Sequence, residues 1–562
     1  MILPDGESGI AMAQTTSPNS DAARGERMRY RIDRLLSDPW RFLPSYSERY
    51  AALLEHAKTL TPLQAYAMTE LLGRDSSRYF PDMPPTAELQ FPEVNKVDAT
   101  SQVGWYYFAG HCEGVDGKRY GVLCMLFRNA LMPPVMAEHF GLNDTDNQLV
   151  EVQLAIAVGG GKFYQIDPPV TAGTSGKVKL ADKLCLVTAG GSAESASNDS
   201  LFPIRVQASG TDRSTGTPVD LTVDLTITSG RTYLPQGYDG AEPLIGGLGT
   251  RYYSIPGLVI DPGKSTIKIG EQKIALKSGT LWFDHQWGLG LAPNGSPRED
   301  VLRAAGNLNP TVSRGWDFFV ANFFEGPRSL TLNSIHDDAS VPFLNMTGPK
   351  PTSALHAPVI GKYMDAFGVL FNISGTVTID DWRQTGPAPE PKKFPNTPTW
   401  VPHHWVFTLT EGVVPQNLRK LEARAICDDA NALQFANGAR YVEAAIDYFG
   451  ADGKAVGTGY AEAVGYLNAT VTRLSLAGLP TTPEVQALFT EQPVTPALWL
   501  ESFLYMLSPA NQAELKRLTA CAQFPPGPRP LDCTTPASPA LAAGAIHPDE
   551  ILAALRKVLG KG

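Results

Sequence analysis

The sequence predicts a mainly β protein with helical segments at both ends. Between about Phe91 and Leu467, short runs of β-branched and aromatic residues are separated by turns rich in Gly, Asp, Asn and Pro, which is typical of antiparallel strands. Before residue 82 and after Asn468, apolar residues recur instead at intervals of three and four, the period of a helix. Capping-box sequences such as Ser45–Glu48, and Pro near the first helical position, mark where these helices begin.

At the N-terminus, residues 1–27 are expected to form a disordered leader and residues 28–82 a helical segment. Arg31–Leu43 and Tyr50–Leu72 carry the helical period. The first residues include Asp5 and Glu7 and lack a basic stretch followed by an apolar one, so a signal peptide is not expected. We therefore expect a cytoplasmic protein.

The β region spans about 380 residues, whereas single β domains rarely exceed about 250. Two β domains are therefore predicted, over residues 83–289 and 290–467, with the boundary in the irregular segment Gly288–Ser313. Trp105–Phe108 and Tyr120–Phe127 are predicted to pair as a hairpin around a turn at Gly114–Gly117. Residues 468–562 form a helical C-terminal segment in this prediction.

Charge and composition exclude several classes of partner. The chain has 562 residues and a net charge of −10, with no run of five Lys or Arg, which argues against nucleic acid or an anionic membrane as the main partner. No window approaches the roughly 18 apolar residues of a transmembrane helix. A hydrophobic small molecule is the expected partner. The six cysteines are too sparse for a disulfide scaffold, and whether Cys521 and Cys533 pair stays open.

Common catalytic and cofactor signatures are absent from the sequence. It contains no HExxH, no GxSxG, no phosphate loop and no CxxC pair, so neither a metal nor a cofactor is expected. Two stretches that frame an acid with tryptophan stand out instead. They are Trp282–Gly288, with the sequence WFDHQWG, and Gly315–Phe319, with the sequence GWDFF.

If both stretches are extended, His285 and Trp287 share one strand face, and Asp317 and Phe319 share a face of the other strand. An Asp buried among aromatic rings has a raised pKa and can donate a proton near neutral pH. A histidine can orient that acid or take a proton back, and the rings of Trp287, Trp316 and Phe319 can stabilise a cation. This combination suits protonation of an alkene.

A purely structural interpretation stays open, because aromatic residues in strands are usually core, and an Asp or His between them often only bonds a turn. Two weaker sets have the same ambiguity. Tyr441 with Glu443, and Tyr460 with Glu462, alternate along strands and either line the polar end of a cavity or face solvent. Trp405, which follows two histidines, is a further candidate for a pocket wall.

Four stretches resemble the lipocalin-like hydroxyneurosporene synthase family, which includes carotenoid 1,2-hydratases, kievitone hydratase and fungal Diels–Alderases. They are Gly104–His111, Trp282–Gly288, Gly315–Phe319, and Tyr441–Glu443 with Gly459–Tyr466. They occur in the family's order between about Ser101 and Leu467. Gly104 is a departure, because the family commonly has Glu there, so a carboxylate of the wall is missing.

The resemblance implies two tandem lipocalin-like antiparallel β-barrels, with the tryptophan motifs near their junction. It also implies catalytic roles for His285, Trp287 and Asp317. The terminal helical segments have no counterpart in the family and are expected to cap the barrels or to mediate self-association as a homo-oligomer. Because the family also includes pericyclases, the function does not follow from the fold.

The leading hypothesis is a cofactor-independent hydratase or dehydratase, a carbon–oxygen lyase acting on a C=C bond of a hydrophobic isoprenoid or prenylated substrate. Asp317 would protonate the alkene, and His285 with Asp284 would guide water to the cation. The expected substrate-binding residues are Trp105, Tyr107, Trp287, Trp316, Phe319, Trp405, Tyr441, Glu443, Tyr460 and Glu462. The alternatives are a pericyclase or cyclase, and a non-catalytic carrier of a lipophilic ligand.

Overall fold

The computed structural model describes most of the chain between residues 80 and 466. The described residues are 80–81, 88–130, 134, 137, 142–214, 217–237, 239–242, 250–288, 315–336, 350–385, 399–434, 440–464 and 466. The predicted leader, nearly all of the N-terminal helical segment, residues 289–314 and the whole C-terminal segment with Cys521 and Cys533 lie outside them.

Strands dominate the described residues, as the sequence predicts. Helical structure assigned with full bounds there is limited to three short 3₁₀ turns, at Glu93–Asn95, Gly173–Ser175 and Gln416–Leu418. No helix in the described part of the chain is long and apolar enough to cross a membrane. The strands form two antiparallel sheets. One sheet is built from strands before residue 289 in the chain, and the other from strands after residue 314.

The first sheet contains fifteen strands. They are β1 (Val103–Gly114), β2 (Arg119–Ala130), β3 (Gln148–Val158), β4 (Phe163–Gln165), β5 (Val170–Ala172), β6 (Lys179–Leu180), β7 (Cys185–Val187), β8 (Gly191–Ser195), β9 (Ile204–Asp212), β10 (Val219–Ser229), β11 (Leu234–Pro235), β12 (Ala241–Glu242), β13 (Thr250–Ile260), β14 (Thr266–Ile269) and β15 (Gln272–Gly288). Its main path runs β4-β3-β2-β1-β15-β13-β10-β9-β8-β7-β6. The sheet curls, so that distant strands of its path come close together. The amide of Asp167, just after β4, donates to the carbonyl of Thr211 in β9.

The second sheet contains nine strands. They are β16 (Gly315–Phe323), β17 (Ser329–His336), β18 (Leu355–Met364), β19 (Leu370–Gln384), β20 (Trp400–Glu411), β21 (Lys420–Ala425), β22 (Ala432–Gln434), β23 (Arg440–Phe449) and β24 (Ala455–Val464). β21 pairs with β23 and β16 pairs with β24, so eight of these strands close into an antiparallel barrel and β22 pairs beside it. Among the described residues, strand pairing closes the second sheet into a barrel but leaves the first sheet as an open path. That the first sheet is also a barrel, as the predicted tandem pair requires, stays a prediction.

The predicted hairpin is confirmed, since β1 and β2 pair with Trp105 opposite Phe127. These two strands and β3 are buried on both faces, which explains their nearly continuous apolar sequences. One face of these three strands points into the core that the first sheet encloses, and the other face packs against the barrel. The approach is closest at Gly121, where an added Cβ would lie 2.3 Å from the Cβ of Ala445 in β23.

Three buried clusters result from this packing. The first core lies inside the first sheet and includes Tyr106, Phe108, Tyr253, Phe283 and Trp287. The barrel core lies inside the second sheet and includes Phe319, Trp405, Phe407, Tyr448 and Tyr466. The inter-sheet layer lies between the two sheets and includes Tyr107, Leu123, Trp282, Phe318 and Tyr460. Because successive residues of a strand point to opposite faces, each central strand supplies a core and the inter-sheet layer in turn.

Candidate active site between the two sheets

The structure distributes the sequence-predicted site residues over all three clusters. The first core receives His285 and Trp287, whose rings stack at 4.4 Å between centroids. The barrel core receives Phe319 and Trp405, and Asp317 is bonded there by Tyr466 of the same cluster. The inter-sheet layer receives the rest of the predicted set: Asp284, Trp105, Tyr107, Trp316, Tyr441, Glu443, Tyr460 and Glu462.

The structure does not bring Asp317 and His285 together. The alternation predicted within each strand is correct, but the two faces line different interiors. Asp317 is fully buried, and the Tyr466 hydroxyl lies 3.0 Å from each of its carboxylate oxygens. A single substrate that contacts Asp317, His285 and Trp287 at once, as the sequence hypothesis requires, would have to cross the wall of a sheet.

His285 itself is poorly suited to accept a proton. Its ring packs 4.3 Å from the Tyr106 ring, and it hydrogen-bonds to the backbone of Val94. Burial lowers the pKa of His285 to about 3, so the imidazole is neutral at physiological pH. In this environment His285 packs and orients its neighbours.

Asp284, one residue earlier on β15, faces the inter-sheet layer and is held by three donors. The Trp282 Nε1 donates to its Oδ1 at 2.8 Å, the hydroxyl of Ser254 on β13 donates to the same oxygen, and the hydroxyl of Tyr252 forms a third bond. Gln236 donates to the Ser254 oxygen at 2.8 Å, which leaves the serine hydrogen for Asp284. Burial nevertheless raises the pKa of Asp284 to about 7.

Glu443 and Glu462 face Asp284 from the barrel. They lie directly opposite each other on β23 and β24. The hydroxyl of Tyr107 on β1 crosses the layer and donates to Glu443 Oε2 at 2.9 Å, and the carboxyls of Glu443 and Glu462 hydrogen-bond to each other. The indole of Trp316 donates to Glu462 Oε1. The first sheet and the barrel thus contribute to one polar cluster.

The three carboxyls cannot all ionise at neutral pH. Burial raises the pKa of Glu443 well above its usual value, and the charges of Glu462 and Asp284 raise it further. Burial and the charge of Asp284 raise the pKa of Glu462 to about 7. The cluster therefore holds at least one proton near neutral pH, and it can both donate and accept one.

Aromatic rings surround this cluster. Trp105 stacks on Phe127 with 5.4 Å between ring centroids, and Trp316 meets Tyr441 edge to face at 5.8 Å. These four rings, like Glu462, keep part of their surface accessible, whereas Asp284 and Glu443 are buried. Their π faces are suited to stabilise a cation that forms beside Glu462.

Sequence reasoning missed the groups that hold Asp284. Trp282 could have been found, because it stands two residues before Asp284 and so shares its strand face. Tyr252 and Ser254 could not, because their place beside β15 depends on the pairing of β13. In the described part of the chain, no group of three or more His, Cys, Asp or Glu side chains is arranged to hold a metal ion.

Comparison with known proteins points to one family. Residues 82–343 match the model of a family described as AttH-like. This stretch contains the whole first sheet and the beginning of the barrel. The match agrees with the predicted relationship at the level of the family, while a closer relationship to the carotenoid hydratases stays a prediction.

Solved structures include two similar chains. An AttH candidate from Nitrosomonas europaea is 19% identical, with 69% of this chain and 100% of that chain covered and a TM-score of 0.49. Kievitone hydratase from Nectria haematococca is 12% identical, with 69% and 96% covered and a TM-score of 0.45. Likenesses at this level say nothing about activity. No curated protein matches the chain significantly.

Proposed function

We propose that the protein is a cofactor-independent hydratase or dehydratase that acts on a C=C bond of a hydrophobic isoprenoid or prenylated substrate, in the inter-sheet layer. The observation that carries this proposal is the cluster of Asp284, Glu443 and Glu462 among aromatic rings. A carboxyl with a pKa of about 7 is protonated often enough to act as an acid at neutral pH and is still a useful base once ionised.

In the proposed mechanism Glu462 replaces Asp317 as the general acid. The residue keeps part of its surface accessible, its buried carboxyl has a pKa raised to about 7, and the Trp316 indole donates to Oε1. Protonation of the alkene forms a tertiary carbocation and leaves Glu462 ionised. The rings of Trp316 and Tyr441 lie beside this position and would stabilise the cation.

Water then completes the addition. Its oxygen bonds to the cation, and its proton passes to ionised Asp284, whose three donors hold it in place. The proton returns to Glu462 through the cluster, in which Glu443 is the group that most strongly retains a proton. Dehydration is the same sequence in reverse. Because hydration adds only the elements of water, no redox partner is required.

The decisive experiment compares Glu462→Gln with Asp317→Asn, two isosteric changes in different clusters. Each purified protein is incubated in ¹⁸O-water with acyclic terpenoids and prenylated phenols, and products are analysed by mass spectrometry. We expect the wild type to place ¹⁸O in an alcohol, Glu462→Gln to lose about 100-fold or more in turnover, and Asp317→Asn to retain most of it. If Asp317→Asn abolishes turnover and Glu462→Gln does not, the acid lies in the barrel core and the proposal is wrong.

The alternative functions give different results in the same assay. A pericyclase would convert substrate without ¹⁸O, and would lose more activity with the shape change Phe318→Ala than with Glu462→Gln. A carrier would return its ligand unchanged. The tandem-barrel arrangement, the boundaries of the two β domains, the cytoplasmic location and self-association through the terminal segments stay predictions.

A further inference from the structure

Within the described part of the chain, a buried arginine of the first sheet lacks hydrogen-bond partners for both of its terminal nitrogens. Arg251 is the second residue of β13 and only 5% exposed, and neither Nη1 nor Nη2 has a hydrogen-bond partner. Among the residues that the structure describes, no charged group offsets the burial of Arg251. This burial lowers the pKa of Arg251 to about 10 and leaves it protonated at neutral pH. A buried charge without a partner is strongly destabilising, so proteins normally pair it.

Arg251 belongs to a row of residues that are paired directly across neighbouring strands at one end of the first core. Trp287 on β15 lies opposite Arg251 on one side and opposite Gly104 of β1 on the other. Gly104 in turn lies opposite Arg128 of β2. A Cβ at Gly104 would lie only 3.2 Å from both the Arg128 Nε and the Trp287 Cβ, so the row is closely packed.

Arg128 adds a second positive charge to this row. It is 2% exposed and donates to the side chain of Gln148 at 2.7 Å and to the backbone of Ser101 at 2.8 Å. Both of these acceptors are neutral, but the charges of Asp98 and Asp144 offset part of the charge of Arg128. Arg251, which no charged group of the described residues offsets, is therefore the less compensated of the two buried cations.

The next row adds a hydrogen-bond acceptor. His285 lies opposite Tyr106 and Tyr253 in the neighbouring strands, and its ring hydrogen-bonds to the backbone of Val94. Its Nδ1 is buried and has no hydrogen-bond partner in the described ranges of the chain. In a neutral imidazole whose other nitrogen donates, Nδ1 is an acceptor. An unpaired cation and an unpaired acceptor thus occupy neighbouring rows of the same face.

We propose that this end of the first core binds the oxyanion of an organic ligand, a carboxylate or phosphate, through the Arg251 guanidinium. A planar guanidinium matches both oxyanions in a bidentate geometry. A hydroxyl of the ligand, or a water that accompanies it, donates to His285 Nδ1. Arg251 and Trp287 each stand next to the end of their strand and lie opposite each other at the same end of the first core. The site is independent of the proposed function, because the inter-sheet layer lies on the opposite faces of β13 and β15.

The test uses the full chain with octanoate, octyl phosphate and, as a neutral probe of the same chain length, octanol. Binding is measured by calorimetry, and thermal unfolding is followed with and without each probe. We expect the wild type to bind at least one anion more tightly than octanol, and Arg251→Met to weaken that binding about tenfold or more. Whichever anion binds tighter identifies the source of the oxyanion.

Thermal unfolding without a probe distinguishes this role from a structural one. Arg251→Met removes an unpaired charge, so it should unfold at the same temperature as the wild type or at a higher one. Arg205→Met is the matched control, because Arg205 is exposed and pairs with Asp224, and it should leave anion binding unchanged. The proposal is overturned if neither anion binds the wild type better than octanol, if Arg251→Met retains the binding, or if Arg251→Met without a probe unfolds at a lower temperature.

Discussion

The barrel core and the inter-sheet layer both bury carboxyl groups, but they surround them differently. Asp317 in the barrel core has the hydroxyl of Tyr466 at 3.0 Å from both of its oxygens. In the inter-sheet layer, burial raises the pKa of Glu443, and the charges of Glu462 and Asp284 raise it further. Like charges in one buried cluster compete for ionisation, so the cluster retains a proton near pH 7. In the inter-sheet layer, burial together with neighbouring carboxyls keeps an acid available as a proton donor.

The strongest test of this contrast is the pH dependence of turnover. The proposed acid is active when protonated, and the pKa of Glu462 is raised to about 7. Turnover should therefore fall as pH rises above 7, by roughly tenfold per unit once most of the acid is ionised. Rates measured between pH 5 and 9 check this. Asp317→Asn should keep the same profile, and a wild-type rate that stays constant up to pH 9 would contradict the role of Glu462.

A smaller effect is expected on stability. Glu443 has a raised pKa in the folded state, so its protonated form contributes stability that is complete below the pKa of the unfolded chain and is lost as pH rises through the folded value. Glu443→Gln removes this loss and still accepts from Tyr107. We expect it to be more stable than the wild type at pH 9, on the order of 1–3 kcal/mol, and to differ less at pH 5.

Chemical denaturation at the two pH values measures this difference. Glu411→Gln is the control, because Glu411 is exposed on β20 and its replacement should leave no pH-dependent gap. If Glu443→Gln is less stable than the wild type at both pH values, Glu443 is held in the layer as a charged group.

The smallest expected effect compares two adjacent tyrosines of β1. Tyr107 donates to Glu443 in the inter-sheet layer, and Tyr106 donates to the backbone of Asn95 at 2.8 Å in the first core. Replacing either by Phe removes one buried hydrogen bond and should cost about 1 kcal/mol of stability. Tyr107→Phe should in addition change turnover by a few-fold, because the hydrogen bond from Tyr107 lowers the pKa of Glu443. Tyr106→Phe should leave turnover unchanged. Equal effects of both variants on turnover would remove the distinction between the two faces.

Much of the local structure could be predicted from the sequence. The β1–β2 hairpin and the shared faces of His285 with Trp287, and of Asp317 with Phe319, follow from turn residues and period-two alternation. Most of the inter-sheet residues were also among the candidates. The sequence predicts Asp317 as the acid because its tryptophan motif stands out locally, whereas the grouping of Asp284 with Glu443 and Glu462 joins positions far apart in the chain.

Alternation along a strand is a local property, so the sequence by itself determined which side chains share a face of a strand and which do not. Asp284 and His285 point to opposite faces of β15, and Trp316 and Asp317 point to opposite faces of β16. It could not determine what each face meets. Closure of the barrel turned Asp317 inward to Tyr466, and docking of the two sheets brought Tyr107 to Glu443. Those contacts depend on long-range strand pairing and on the packing of two sheets, which alternation along a single strand cannot specify.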